Sequence, residues 1–208
     1  RHPAHHVITL HINLKKYASH GDDSLFCEKF DEILSEELSV DRIFTPAFLQ
    51  KDAQTLMKGV LEYGWPSLEE LRGSFIIVLS GNDSQRLLAR RRLIYTYTQP
   101  YKRLAFVDMD QRPLNYGPKS LKDLIRPYQQ EGTRVFLNIK VGNFDWLSLA
   151  RQARELGFIT KCGSLVHRRD WAMAKAANVN IMATSHIQNT RWTAFVPTSL
   201  QKDTISID

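Results

Sequence analysis

Little in this chain marks the common types of site. Only two cysteines occur in its 208 residues, Cys27 and Cys162. Two thiols cannot make a disulfide-dense scaffold or a four-cysteine zinc site; one disulfide or two free thiols both remain open. No apolar run approaches the roughly 20 residues that a membrane span needs. There is no glycine-rich phosphate loop, no Cys/His zinc spacing and no nucleophile elbow, and nothing in the spacing of Ser, His and Asp marks a triad. Internal repeats and low-complexity tracts are also missing, which removes solenoids and disordered linkers from the reading.

What is present begins with charge. Lysine and arginine number 28 against 22 acidic residues, a net of +6. A basic excess favours anionic partners, phospholipid headgroups first; nucleic acid would rest on charge alone and ranks last. Arg90, Arg91 and Arg92 form the densest basic cluster. They read as an exposed helix end or as a contact for a phosphate-bearing membrane surface, where each basic residue is worth about 1 kcal/mol against anionic lipid. Tyr95, Tyr97 and Tyr101 with Pro100 read as an aromatic loop suited to a lipid interface or to local packing. His2, His5 and His6 read as a solvated loop or chain end, with metal binding as the alternative.

Hydrophobic periodicity alternates between strand and helix. Val7–Leu14 alternates strictly: Ile8, Leu10, Ile12 and Leu14 form an apolar face, and Val7, Thr9, His11 and Asn13 a mixed one. The apolar face packs under helices; the mixed face turns His11, Asn13 and Lys15 towards an interior or its mouth. Ser24–Leu38 reads as an amphipathic helix capped by Asp23 or Ser24. A turn around Pro46 and a helix from about Lys51 to Tyr63 follow. Further strands read over 104–108, 135–141, 158–162 and 179–184. Helices read over 120–130, 145–156 and 166–177. Strands and helices in this order predict βαβ units and a parallel sheet. Asp108 and Asp110 close one strand and point the same way, as a loop cap, a cation site or a proton-positioning pair.

The chain is organised around Tyr63–Gly81. Ser67 and Glu70 have capping-box spacing, Gly73 can end the helix they start, and Phe75–Leu79 is an unbroken apolar run of the kind buried on both faces of a parallel sheet. The run Trp65-Pro66-Ser67-Leu68-Glu69-Glu70-Leu71-Arg72-Gly73 before a buried strand resembles the Trp-Pro-Thr-Leu-x-Glu-Leu-Arg-Gly segment of calcium-dependent phosphoinositide phospholipase C-like proteins, a branch of the phospholipase C-like phosphodiesterase barrels. The segment is structural rather than catalytic. The order of elements over 7–187 agrees with the resemblance, strongly in 63–80 and 155–185.

The resemblance implies a (β/α)8 TIM-barrel-type fold. An intact barrel takes about 250 residues. The chain is shorter and starts at Arg1, so the expectation is the C-terminal part of a barrel over 1–187, with 188–208 as a tail. The implied chemistry is metal-assisted acid–base cleavage of a phospholipid or glycerophosphodiester headgroup, with calcium as cofactor and both catalytic histidines expected before Arg1. The implied substrate is a phospholipid or phosphoinositide, met at a peripheral membrane surface; a secreted or membrane-peripheral location is favoured. The family strand reads roughly Leu-x-Ile-Glu-Leu-Lys, and its Glu serves the calcium and catalytic site; Asn13 stands there, bringing an oxygen but no charge. Lys15 matches the basic position beyond it. The closing strand of the family ends Ser/Thr-Thr-Asp, where this chain has Thr184-Ser185-His186.

The candidate catalytic residues are therefore Asn13, Lys15, Asp108 and His186. Lys140, Arg90 and Arg91 are the candidates for substrate contact, and Asn13 and Asp108 for calcium. A catalytically degenerate barrel that binds anionic lipid or a protein partner is the alternative.

Overall fold

The computed structural model describes residues 5–14, 25–81, 86–97, 103–111, 129–141 and 145–184. Six strands form one sheet: β1 (Ile8–Leu14), β2 (Phe75–Gly81), β3 (Phe106–Gln111), β4 (Phe136–Lys140), β5 (Ile159–Gly163) and β6 (Ile181–Met182). All five pairings are parallel, and the spatial order of the strands is their chain order. An unbroken order of this kind is the wall of a (β/α) barrel; a doubly wound sheet would reverse direction at a switch point. Among the described residues, β1 and β6 are the two edge strands of the wall. Among the described residues, no helix is long and apolar enough to cross a membrane.

The helices are α1 (Phe26–Leu38), α2 (Pro46–Gln50), α3 (Leu56–Tyr63), α4 (Arg86–Tyr97), α5 (Trp146–Glu155) and α6 (Arg168–Ala176). The helix expected from Ser24 begins at Phe26, with Leu25 at the cap and no side-chain cap bond; the expected caps lie outside the described residues. The region expected as a turn plus one helix holds two helices. Pro46 opens α2 where its missing N–H is not needed, and Thr55 caps α3 by accepting from the Lys58 N–H at 3.2 Å. Most of the expected helix over 120–130 and the tail over 188–208 lie outside the described residues.

Two apolar clusters hold the layers. One joins Leu10, Ile12 and Leu14 of β1 with Ile77, Leu79, Val107, Tyr95 and Cys27. The apolar face read from β1 therefore packs as expected. The other cluster joins β3–β5 with α3, α5 and α6 and includes Trp146, Leu149, Ala153 and Cys162. Both cysteines are buried thiols, one in each cluster, and they do not form a disulfide with each other. Ile77 and Leu79 are fully buried, as the apolar run of β2 predicts.

The Trp-Pro segment is a single tight turn, not the expected short helix. Its capping box is formed: the Ser67 N–H donates to Glu70 Oε2 at 2.7 Å, and the Glu70 N–H to Ser67 Oγ at 3.2 Å. Gly73, at φ +78°, then turns the chain into β2 in a conformation that favours glycine. Leu71 is buried but Leu68 is 60% exposed, so the two leucines do not share a packed face. His5 is not a free chain end. Its carbonyl accepts from the Gly73 N–H at 2.6 Å, and its ring nitrogen meets Arg42 at 2.6 Å.

Trp65 explains why the turn is built this way. Its indole N–H donates to the Gly157 carbonyl at 2.9 Å, just before β5. Its ring packs 5.6 Å from Phe136 and 6.2 Å from Phe106, and Phe44 stacks 6.0 Å from Phe106. Phe106 and Phe136 open their strands, so these rings plug the N-terminal end of the wall. The plug is the floor on which the polar groups above it stand.

Candidate functional site

Parallel register decides which side chains share a face. His11 pairs with Val78, Asn13 with Ser80, Asp108 with Phe136, and Asn138 with Lys161. The mixed face of β1 thus continues across the sheet through Ser80, Asp108, Asn138 and Lys161. Phe136 lies beside His11, their ring centroids 6.5 Å apart, edge to face.

Asp108 is the buried centre, 1% exposed. Arg92, reaching up from α4 and 2% exposed, places Nη2 2.5 Å from Asp108 Oδ1. Arg92 also donates to the Asp108 carbonyl and, from Nη1 at 3.0 Å, to the Gly81 carbonyl. Gly81 permits this approach: a Cβ there would lie 2.9 Å from Arg92 Cδ. Ser80 donates its hydroxyl proton to Asp108 Oδ2. Both carboxylate oxygens are therefore engaged.

This settles the tautomer of His11. Its Nδ1 lies 3.2 Å from Ser80 Oγ. The only proton of Ser80 goes to Asp108, so Ser80 can only accept from the imidazole, and Nδ1 carries the hydrogen. Burial, followed by the nearby charge of Lys161, pushes the His11 pKa down to about 4, so the ring is neutral at pH 7. Nε2 then presents a lone pair, and it is buried without a hydrogen-bond partner among the described residues. Lys161 is half-buried on the same face. Its pKa is lowered by burial and partly restored by the charge of Asp108.

The expected residues divide sharply. Asp108 is in the site. Asn13 is exposed on β1, two residues beyond His11. Asp110 and Lys140 lie on β3 and β4, with their side chains outside the described residues; so is the side chain of Arg90 on α4. Lys15 and His186 lie wholly outside the described residues. The exposed basic cluster is corrected at two of its three positions. Arg91 is 4% exposed with its guanidinium 5.6 Å from the Phe26 ring, and Arg92 clamps Asp108. Both arginines are buried because α4 turns this face inward, and it leaves Leu93 48% exposed. The aromatic loop is corrected at Tyr95; Pro100, Tyr101 and the side chain of Tyr97 lie outside the described residues. Tyr95 belongs to α4, is 1% exposed, donates to Asp31 and accepts from the Ala105 N–H at 3.0 Å.

Sequence reasoning did not select His11, Ser80, Arg92 or Lys161 as site residues. His11 and Lys161 carried a signal, as polar positions on the inward parity of apolar strands. Arg92 carried none, because it sits on a helix and its partner Asp108 on a strand, an encounter only the tertiary fold brings about.

Calcium takes six to eight oxygens, and both oxygens of Asp108 already meet Arg92 and Ser80. Among the described residues no group of three or more His, Cys, Asp or Glu could hold a metal ion.

Solved structures share the fold. One is a calcium-dependent phosphoinositol-specific phospholipase C from Pseudomonas sp.; it matches over 88% of this chain and 60% of its own, with 22% identity and a TM-score of 0.61. Another is a Ca2+-dependent phosphatidylinositol-specific phospholipase C from Streptomyces antibioticus; it matches over 88% of this chain and 65% of its own, with 16% identity and a TM-score of 0.61. The chain therefore spans less than two thirds of each. No curated protein sequence matches it. A family model described as phosphoinositide phospholipase C, Ca2+-dependent, matches residues 1–113, from before β1 through β3 and so across His11, Ser80, Arg92 and Asp108. On that match, the chain belongs to the calcium-dependent phosphoinositide phospholipase C family.

Proposed function

We propose that this chain forms part of the active site of a phosphodiesterase that cleaves the headgroup from a phosphoinositide or a related phospholipid. The observation that carries the reading is the relay Asp108–Ser80–His11, which ends in an unpartnered Nε2 lone pair on the inner face of the wall. In this reading His11 Nε2 takes the proton of a hydroxyl next to the phosphate. The freed oxygen bonds to phosphorus while the phosphorus–oxygen bond to the lipid alcohol breaks, and an acid elsewhere in the site returns a proton to that alcohol. Ser80 and Asp108 hold the ring in the tautomer this needs, as the carboxylate of a hydrolytic triad does. An imidazole with a pKa near 4 is a weak base, but an anionic phosphate bound beside it raises that value towards neutrality.

A second reading, a degenerate barrel that binds anionic lipid without cleaving it, is favoured by Asn13 where the family carries a glutamate and by the closure of Asp108 by Arg92. The test is release of water-soluble inositol phosphate from phosphoinositide vesicles by the full-length protein, with and without calcium. Hydrolysis that falls about 100-fold or more in His11→Ala supports the first reading. No release in either condition, with firm vesicle binding, supports the second.

A further inference from the structure

Charge on the outside of the wall is sorted by sign. The chain carries a net +6, yet the exposed face of α1 is acidic. Glu32, Glu36 and Glu37 face water there, followed by Asp41 in the short turn Val40–Arg42, and Lys29 is the exposed base that opposes them. None of these acids makes an ion pair among the described residues. Glu36 and Glu37 lie towards the C-terminal end of α1, whose last turn holds no basic residue, so they oppose the helix dipole. Between the acids lie two exposed apolar side chains, Ile33 at 56% and Val40 at 47%. At the other end of the sheet the sign reverses. Helices α5 and α6 expose Arg151, Arg154, Arg168, Arg169 and Lys175, and within them Glu155 is the exposed acid. Ala172 and Ala176 lie exposed among the basic residues of α6.

We propose that the acidic face of α1 is a docking surface for α5 and α6 of a second copy of this protein, joined head to tail. The two surfaces share one plan with opposite signs. On α1, Ile33 and Val40 are flanked by carboxylates; on α6, Ala172 and Ala176 are flanked by Arg168, Arg169 and Lys175. The alanines leave room for the larger apolar side chains, and the flanking charges set register and steer the encounter. Within one copy the two faces do not meet. Helix α1 packs on β1 and β2 through Cys27 and Leu34, whereas α6 joins the cluster around Cys162 of β5, towards the opposite end of the sheet. A second copy is the occupant because this chain carries both halves of the contact. The partner's arginines would also place positive charge at the end of α1 where the dipole calls for it. A contact between two different patches is heterologous, so each added copy leaves one patch free and association continues to a ring or a chain. Both patches lie on the helical side of the sheet, and the face that carries His11 stays uncovered.

The experiment is sedimentation of the full-length protein over about 1–100 μM, in dilute salt and at about 0.5 M salt. Wild type is expected to associate in dilute salt and to weaken about tenfold or more in the stronger salt. Two charge-reversed variants are compared with it, each checked for folding by circular dichroism. One combines Glu32→Lys, Glu36→Lys and Glu37→Lys; the other combines Arg168→Glu, Arg169→Glu and Lys175→Glu. Each alone is expected to lose association by about tenfold or more, because like charges then face each other. Mixed, the two are expected to associate as wild type does, because every contact between them again joins opposite signs. A wild type that stays monomeric in dilute salt overturns the proposal. So does association that ignores salt, that survives either reversal unchanged, or that mixing fails to restore. A monomer that binds phosphatidylserine vesicles, and loses them when Arg168, Arg169 and Lys175 are reversed, assigns the basic face to lipid and also overturns it. Should a reversed variant fail to fold, Glu36→Gln with Glu37→Gln takes its place. That pair is expected to weaken association about fivefold, and no change in it defeats the proposal.

Discussion

The turn-and-strand unit Trp65–Gly81 and helix α4 are joined by a hydrogen bond from Arg92 to the carbonyl of Gly81. Almost everything about the first is local. The capping box closes within four residues, Gly73 turns because glycine tolerates φ +78°, and the apolar run is buried along its length. Almost nothing about α4 is local. Its arginines read as a solvated patch, yet Arg91 and Arg92 are buried while Leu93 is largely exposed. The difference teaches that a helix built around an ion pair can invert the usual amphipathic pattern. The pattern reports which side chains prefer water, and a buried counter-charge overrides that preference.

Breaking the ion pair is expected to have the largest effect. Arg92→Leu leaves the Asp108 carboxylate buried without its cation and should lower unfolding free energy by about 3–5 kcal/mol. Adding Asp108→Leu should recover much of that loss, since an apolar pair of similar volume carries no desolvation penalty. Urea unfolding of the single and double variants checks both; a milder effect of Arg92→Leu than of a surface arginine would contradict the clamp.

Next in size is the plug beneath the site. Trp65→Ala should cost about 3 kcal/mol through lost packing on Phe106 and Phe136 and the loss of the bond to Gly157. Trp65→Phe keeps part of the packing and should cost clearly less. Thermal unfolding compares the two.

His11 predicts a pH effect. Its folded pKa of about 4 lies below the ordinary value of 6.5, so between those limits the unfolded chain holds the extra proton. The folded state therefore loses stability as pH falls from about 6.5 to about 4, and nothing further below it. For a half-buried ring screened by solvent the loss is about 2 kcal/mol. The difference in stability between wild type and His11→Gln, measured across pH 4–7, isolates this contribution from the other histidines.

The smallest change falls on the local unit. Ser67→Ala removes one half of the capping box and should cost about 1 kcal/mol. If it cost as much as Arg92→Leu, the contrast between a locally determined turn and a remotely determined helix would fail.

Parts of the site were legible in the same way as the turn. His11 stood on the mixed face of β1, and Lys161 interrupted an apolar strand at the inward parity. Asp108 was selected because it sits towards the end of a buried strand in a parallel sheet, where sites gather. What could not be read was the use of each group. Asp108 looked free of a cationic partner, and it is the Arg92 side chain, from an element that seemed solvated, that pairs with it.

The alternation of periods in the sequence determined the six strands, several of the helices between them and the parallel class of the sheet, because burial of alternate or three-to-four-spaced side chains is a local property of the chain. Only the tertiary structure decided that Arg92 faces inward, that His11 carries its hydrogen on Nδ1, and that Lys161 shares a face with His11. Each of those depends on the distance between strands and on the register of their pairing, and electrostatic energy in a buried site turns on such distances rather than on position along the chain.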